Sequence, residues 1–563
     1  MELTLIAVAG VISIVAVAAF SEKLGLAAPL SLVIVGIALS YVPGVPRIRV
    51  DPEVVLTGVL PPLLYAAAVN MPATDFRRNL KSISGLAVLL VAATTLGTGW
   101  LFHALLPGIG WPAAFALGAV VSPTDAVAAS SIGHKLGLPS RLLAVLEGEG
   151  LVNDASALVL LRSAVAAIAS SVSMGGLAWD FVKAVVIAAV IGLVVGYVNV
   201  RIRGLLHDGV LNTAISFVVP FLAFVPAEKL RASGVLAVVV AGLVSGEMSP
   251  RYVRAADRMT ERMNWRTLAF LLESGIFLLM GLGLRSLIDD VGGEHLSAWT
   301  GLWVGLAASA AVILLRIGFV APLVAVLRRD RRRAEEAKPR LERMKTRIDE
   351  HDLTERFSPR QAERITHRVV RVAADIEFQL NEDLGWRGGV VLAWSGMRGA
   401  ITVAAAETLP ADLTRRPQMI LIATVVALTT LLVNGLTLPA VIRAVRIPGD
   451  DEGRIRAEYA DLMATLTAAG REYLADPGPD VDPQVVAEVR ERLEQPLRNV
   501  EQEARRDLRD EYLRVTLGVL EAEQARLLRA RSEGVYSSRT LTQIQRRLDI
   551  QTATMQRIGD EEG

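Results

Sequence analysis

The sequence predicts an all-α polytopic membrane protein with a water-exposed helical tail, on three observations. Of 563 residues, 52% are hydrophobic and only 5% aromatic. The apolar residues arrive in blocks of about 17 to 25, the length at which a helix crosses a bilayer. Charge is segregated: residues 1–325 are mostly apolar blocks joined by short loops, whereas 328–386 and 448–563 are rich in Arg, Glu and Asp and belong in water. Where ionisable residues interrupt the apolar blocks they cluster, above all in residues 145–160, VLEGEGLVNDASALVL. A formal net charge of +1 favours no nucleic-acid partner, and the absence of cysteine excludes disulfides, thiolate metal sites and cysteine catalysis.

Thirteen blocks read as spans, near 3–20, 25–42, 53–70, 84–106, 111–132, 142–168, 181–200, 210–226, 232–248, 267–287, 300–326, 388–409 and 417–444. The first follows Met-Glu with no basic segment before it, so it reads as a retained span and not a cleaved signal. Loops after odd-numbered spans, before the long charged insertion, hold thirteen Lys and Arg, against six after even-numbered spans, or eight with Lys183 and Arg285 near span ends. The positive-inside bias then places the N-terminus outside and both charged segments in the cytoplasm of a multi-pass plasma-membrane protein. Residues 1–445 form the transmembrane domain, with a cytoplasmic insertion at 328–386, and 446–563 a cytoplasmic helical tail.

An odd count lets spans 1–6 and 8–13 be inverted six-helix repeats joined by span 7, the arrangement in which secondary transporters place their sites at the midplane. The sequence pointer to such a site is a pair of broken spans in corresponding positions. Span 5 is broken by Ser122-Pro123-Thr124-Asp125, because proline removes a backbone donor and clashes one turn back. Span 12 is broken by Gly396-Met397-Arg398-Gly399, where glycine lets the backbone unwind. Broken helices free backbone polar groups, which lipid tolerates only where they line a cavity, and expose half-helix ends that need opposite charge. Asp125 and Arg398 supply it. The alternative for each break is a kink that eases helix packing.

Span 6 carries the chemistry. Glu147, Glu149 and Asp154 are three acids in eight residues, and each charge near the bilayer centre costs ~2.5–3.5 kcal/mol or more unless it finds a partner, water or a proton. Glu149 and Asn153 are four apart and share a helix face, while Asp154 is offset by about 100°. A buried carboxylate whose proton affinity is raised holds a proton at one pH and a small cation at another, the minimal machinery of cation/proton exchange. Asn153 adds a neutral oxygen and no second titrating charge.

The strings SPTDAVA, EGEGLVNDASALV, SGVLAVVVAGLVSG, SGMRGAITVA and LVNGLTLP, in this order and spacing, resemble the cation:proton antiporter 1 family, the NhaP-like sodium/proton exchangers, over residues 1–445. The resemblance implies that Asp154 is the exchanging carboxylate and Asn153 its structural neighbour. It implies that Thr124 contributes its main-chain oxygen, so that Na+ sits at Asp154 and Thr124, and that Asp125 balances the broken half-helices. Glu149 would pair with Arg398 and hold span 6 against span 12. The Asn-Asp pair resembles that of electroneutral one-for-one exchangers. A homodimer working by alternating access on Na+ (or Li+) and protons, with no cofactor, is the implied assembly.

Two positions depart from the family pattern. Where many relatives carry an acid on span 3, this chain reads LPPLLYAAA, with Ala66 in its place, and where some carry Ser before the Asn-Asp pair, it has Gly150. Two oxygen ligands are absent, which keeps a potassium/proton antiporter as the alternative. Glu273, in LLESGIFLLMGLGL, adds an acid on span 10, and Glu147 reads either as lining a cytoplasmic funnel or as a solvated helix-end acid. Arg162 and Arg316 read as snorkelling or pairing with helix carbonyls. Glu407 reads as solvated, and His134 requires no functional explanation. An intramembrane aspartyl protease, using Asp125 and Asp154, lacks its Gly-x-Gly-Asp signature; a non-transporting pH sensor is the third reading. The tail, with a turn at residues 475–480 and apolar residues at helical spacing from Val485 to Leu497, reads as a helix that packs on itself or dimerises, with regulation as the second option.

Overall fold

The computed structural model describes residues 2–23, 27–43, 51–169, 174–293, 296–350, 358–381 and 384–476, together with 483–484, 486–487, 489–490, 517–520, 522–523, 548 and 550–552. Nineteen α-helices are found among them. The chain opens with α1 (Glu2–Lys23) and α2 (Ala28–Ser40), the latter started by Pro29 in its first turn, where the missing N–H costs nothing. A π-helical turn, Val54–Val59, leads into α3 (Leu60–Asn70). Short α4 (Ala73–Arg78) and α5 (Leu80–Ser84) follow, and α5 runs through a second π-helical turn, Gly85–Leu90, into α6 (Val91–Leu105). Next come α7 (Trp111–Val120), α8 (Ala126–Lys135) and α9 (Ser140–Ala169).

The chain then forms α10 (Met174–Leu205), α11 (Gly209–Lys229), α12 (Gly234–Tyr252), α13 (Ala255–Gly293) and α14 (Ala298–Glu350). Asp208 and Ser233 cap α11 and α12 by accepting from first-turn amides, which satisfies donors no helix can satisfy itself. After α14 lie α15 (Pro359–Asn381), α16 (Gly385–Trp394), α17 (Ala400–Glu407) and α18 (Arg416–Val445). The chain divides at Gly449, and α19 (Glu452–Tyr473), capped by Asp451, is the helix described at the start of the second unit, Asp450–Gly563. The expected turn at 475–480 and the apolar series from Val485 to Leu497 fall largely outside the described residues.

Among the described residues, eight helices are long and apolar enough to cross a membrane, and four shorter apolar helices accompany them: Val8–Ser21, Ala28–Ser40, Val54–Asn70 and Trp111–Val120. This is a multi-pass, all-helical membrane fold. Two expected spans run well past their predicted limits. α13 starts at Ala255, not 267, because Glu261 is buried against Arg203 of α10 at 2.6 Å, giving the charged first turns a packed partner. α14 continues without interruption into the charged insertion, whose Arg, Glu and Lys are good helix formers paired at i, i+4 as Arg331–Glu335 and Lys338–Glu342.

The helices of the first unit sort into two groups by packing. One joins α1–α3 to α10–α13; the other joins α6–α9 to α14 and α16–α18. Small residues allow close crossings within the first group: a β-carbon at Gly36 of α2 would lie 2.5 Å from the Leu278 carbonyl oxygen, and one at Gly281 of α13 equally near that of Val33. Between the groups, α13 faces α17 and α18 across a cavity of about 190 Å3 lined in part by Ile276, Met280, Ala400 and Val403, with Asp290, Glu407 and Arg416 also on its wall.

Candidate ion site

The two sequence breaks meet. Residues 121–125 separate α7 from α8, residues 395–399 separate α16 from α17, and the Asp125 amide donates to the Met397 carbonyl at 2.7 Å, joining one break to the other. Each break produces a helix end of each polarity. Asp125 caps α8 by accepting from the Val127 amide at 2.9 Å, and its other carboxylate oxygen packs against Gly399, the N-cap of α17, where any β-carbon would collide with it. One carboxylate therefore sits at two helix N-termini, where partial positive charge accumulates.

Two buried arginines serve the opposite ends. The Arg398 Nε donates to the Val121 carbonyl, at the end of α7, at 3.1 Å, and its Nη1 to Gly396 at 2.5 Å. The Arg316 Nε donates to the Leu392 carbonyl, in the last turn of α16, at 2.8 Å. These carbonyls lie beyond the reach of their own helices' amides, so each guanidinium supplies missing donors and charge of the favourable sign.

The ion pair expected between Glu149 and Arg398 is not formed. Glu149, 2% exposed, is held by Arg316, whose Nη1 and Nη2 reach its two oxygens at 2.5 and 2.8 Å. Arg398 is engaged with the carbonyls around the breaks, and α14 brings Arg316 to the face of α9 where Glu149 lies. The expectation that Arg316 snorkels is corrected with it; its second partner, the Leu392 carbonyl, does match the carbonyl reading. Arg162 likewise meets a carboxylate, Glu228 of α11, at 2.7 Å.

Glu149 and Asn153 share a face of α9 and both grip Thr124. The Thr124 hydroxyl donates to Glu149 Oε1 at 2.7 Å and accepts from Asn153 Nδ2 at 2.8 Å, while the same Nδ2 donates to the Thr124 carbonyl at 2.7 Å. These bonds fix the amide's orientation, so Asn153 Oδ1 is the atom left buried without a hydrogen bond. On the adjacent face, Gly150 packs so tightly on Ala126 that a β-carbon would lie 2.5 Å from the alanine's own. Asp154, one turn on from Gly150, shares that face.

Asp154 is 6% exposed, and among the described residues its carboxylate has neither a hydrogen bond nor an ion pair. It lies close enough to Asp125 for the two carboxylates to interact, as does Glu273 of α13. The neighbouring charges are already matched, Glu149 by Arg316 and Asp125 and Arg398 by helix ends. Asp154 and, on α13, Glu273 are the acids near Asp125 that lack such a match among the described residues, and a buried carboxylate without a partner calls for a proton or a counter-charge.

The remaining expected residues lie further out. Glu147 faces His134 of α8 at 3.2 Å, both partly exposed, and Glu407 pairs with Arg416 at 3.2 Å in place of being simply solvated. Ala66 is buried in α3. Arg316 is the residue that sequence reasoning missed; its depth was the available signal, since it lies ten residues from the nearer end of the expected 300–326 span. At 1.5 Å per residue that is about 15 Å, mid-bilayer and beyond snorkelling reach.

A family model described as sodium/hydrogen exchanger, transmembrane, matches residues 10–444. An uncharacterized Na(+)/H(+) exchanger of Mycobacterium tuberculosis is 29% identical over 552 residues, covering 95% of this chain and 93% of that one. A low-affinity Na(+)/H(+) antiporter of a Synechocystis species, NhaS1, is 29% identical over 470 residues, covering 81% and 77%. Among solved structures, the sodium proton antiporter MjNhaP1 of Methanocaldococcus jannaschii superposes with a TM-score of 0.55 at 18% identity, covering 79% of this chain and 98% of that one.

Proposed function

The chain belongs to the sodium/hydrogen exchanger family, a family of transporters and not of enzymes, and from that premise we propose that it exchanges Na+ (or Li+) for protons at the Asp154 carboxylate. The observation that carries this is the isolation of Asp154: a buried acid without a partner among the described residues, beside the unsatisfied Asn153 Oδ1, where Glu149, Arg316, Asp125 and Arg398 are each compensated. Ionised, Asp154 holds the cation, with Asn153 and Thr124 as neutral oxygen neighbours and Asp125 adding negative potential. Protonated, it releases the cation and the site returns neutral. No cofactor enters the cycle.

One titrating carboxylate carrying either one proton or one Na+ has the same charge in both loaded forms, so exchange is electroneutral. Alternating access is supported by the sorting of helices into two groups with a cavity between α13 and α17–α18. In this reading thirteen passages form two inverted six-helix repeats, and Asp125, Arg398 and Arg316 keep the crossed half-helices rigid while the groups move. Glu273, near Asp125, and Glu147, further out beside His134, stand on the pathway. The chain works as a homodimer in the plasma membrane, with the N-terminus outside and the insertion and tail cytoplasmic. The tail modulates the pH response, and the whole serves pH and sodium homeostasis.

A potassium/proton antiporter is the second reading, favoured by Ala66 and by Gly150, whose contact with Ala126 leaves no room for a serine oxygen. Proton movement in proteoliposomes after separate Na+, Li+ and K+ jumps tests both. A Na+-driven flux supports the first reading, a K+ preference the second, and no flux from either full-length protein or residues 1–450 contradicts exchange.

A further inference from the structure

Arg162 and Glu228 form an ion pair between the two packing groups. Arg162 lies on α9, the helix that carries Asp154, eight residues further on and so about 12 Å along the axis. Its Nη2 meets Glu228 Oε2, in the last turn of α11, at 2.7 Å. From that turn α12 and α13 run out and back, so α13 ends, with Asp290, at the same end of the bundle. Asp290, with Glu407 closing α17 and Arg416 opening α18, is on the wall of the cavity between the groups. The ion pair and the charged end of the cavity therefore share one end of the molecule.

Glu228 is already positioned for this contact. Its other oxygen, Oε1, accepts from the Gly234 amide at the start of α12 at 2.9 Å, so the α11–α12 turn fixes the carboxylate independently of Arg162. A β-carbon at Gly234 would lie 2.8 Å from that oxygen, and the turn is drawn tight by the Ala232 amide on the Ala227 carbonyl at 2.9 Å. The packing of α9 on the first group is of another kind. Leu151 and Ala155 of α9 share an apolar cluster with Ala237, Val238 and Ala241 of α12. Apolar contacts are non-directional and re-form after a slide. An ion pair at 2.7 Å is lost once one group shifts by a helical turn, about 5.4 Å, against the other.

A contact made in one arrangement of the groups and not in the other shifts the balance between them by its own free energy. We propose that Arg162 and Glu228 are positioning residues for transport: their pair holds α9 to α11 in the arrangement whose cavity reaches this end, and sets how much of the population stands in it. This rests on the alternating-access reading above. The two side chains are 49% and 25% exposed, so solvent screens the pair and the shift it gives is roughly two- to five-fold.

The chain has no cysteine, so Val403→Cys, on the cavity wall, supplies a single thiol. In nanodiscs, its rate of labelling by a small charged methanethiosulfonate reports how much of the population has the cavity open, and needs no ion flux. Arg162→Gln and Glu228→Gln, the latter keeping an oxygen for the Gly234 amide, are each expected to slow labelling roughly two- to five-fold. The double variant should slow it no further than either single, and Arg162→Lys, which keeps the charge, should retain most of the parent rate. Parent or faster labelling in both single variants overturns the proposal, as do additive losses in the double variant or a lowered Tm with labelling unchanged. The expected labelling pattern in a protein that moves no Na+, Li+ or K+ upholds the state-setting pair and contradicts the exchange reading alone.

Discussion

Removing Arg316 strands Glu149, and the size of the effect follows from the geometry. The carboxylate receives three hydrogen bonds, two from the guanidinium and one from the Thr124 hydroxyl, and it is 2% exposed. At a charge separation of ~4 Å and an effective dielectric of ~20 the pair attracts by about 4 kcal/mol. Truncating one partner of such a pair typically costs ~3–5 kcal/mol, because the other charge remains buried and uncompensated. Arg316→Met keeps most of the stem and removes the charge, so it should destabilise by that amount, whereas Arg316→Met/Glu149→Gln should recover most of the loss. Unfolding by a denaturing detergent in mixed micelles, followed by tryptophan fluorescence, gives the four corners of the cycle. The Glu149–Arg316 coupling should exceed the Glu149–Arg398 coupling measured the same way. A larger coupling with Arg398 would refute the assignment and restore the pairing expected from the sequence.

Other perturbations probe separate contacts. Gly150→Ser places a side chain against Ala126 at 2.5 Å; an overpacked contact of this kind costs ~1–3 kcal/mol, so a lowered Tm with slowed exchange is expected, and an unchanged Tm would contradict the packing. Asn153→Ala removes the amide that clasps Thr124, with an expected loss of ~1–3 kcal/mol and weakened cation affinity, read as a raised KM for cation-driven proton flux. Burial holds the Asp75 carboxyl, in the loop helix α4, above its ordinary range, with Arg78 opposing. Since the folded state binds that proton more tightly than the unfolded one, Asp75's contribution to stability is largest below its unfolded pKa and falls as pH rises through the folded value. Asp75→Asn should therefore gain Tm relative to the parent as pH is raised, and a gain on acidification would contradict it.

Much of the site is legible in the sequence because its ingredients are local. Pro123 and the Gly396/Gly399 pair break apolar runs where backbone groups need a use, and Asp125 stands one residue before a helix that it caps. Spacing of four puts Glu149 and Asn153 on one face of α9. What is not legible is pairing across distance: Glu149 and Arg316 are 167 residues apart, and only the packing of α14 against α6, α16 and α18 brings Arg316 to the breaks. Arg398 was the partner that the family resemblance implied, yet the carbonyls of its own break and of α7 engage it instead. The π-helical turns at Val54–Val59 and Gly85–Leu90 leave no compositional mark in apolar sequence. The extension of α13 back to Ala255 depends on Arg203, fifty-eight residues from Glu261, which is again a tertiary pairing.

The central claim is that Asp154, a buried carboxylate without a partner, carries the exchanged proton or cation. Its most direct test is cation-driven proton movement in proteoliposomes, with membrane potential clamped, for the parent and for Asp154→Asn, which keeps the shape and removes the titrating group. The account predicts a folded variant with no exchange and a parent whose steady-state exchange is indifferent to the clamped potential. Normal exchange by Asp154→Asn would contradict the site assignment outright.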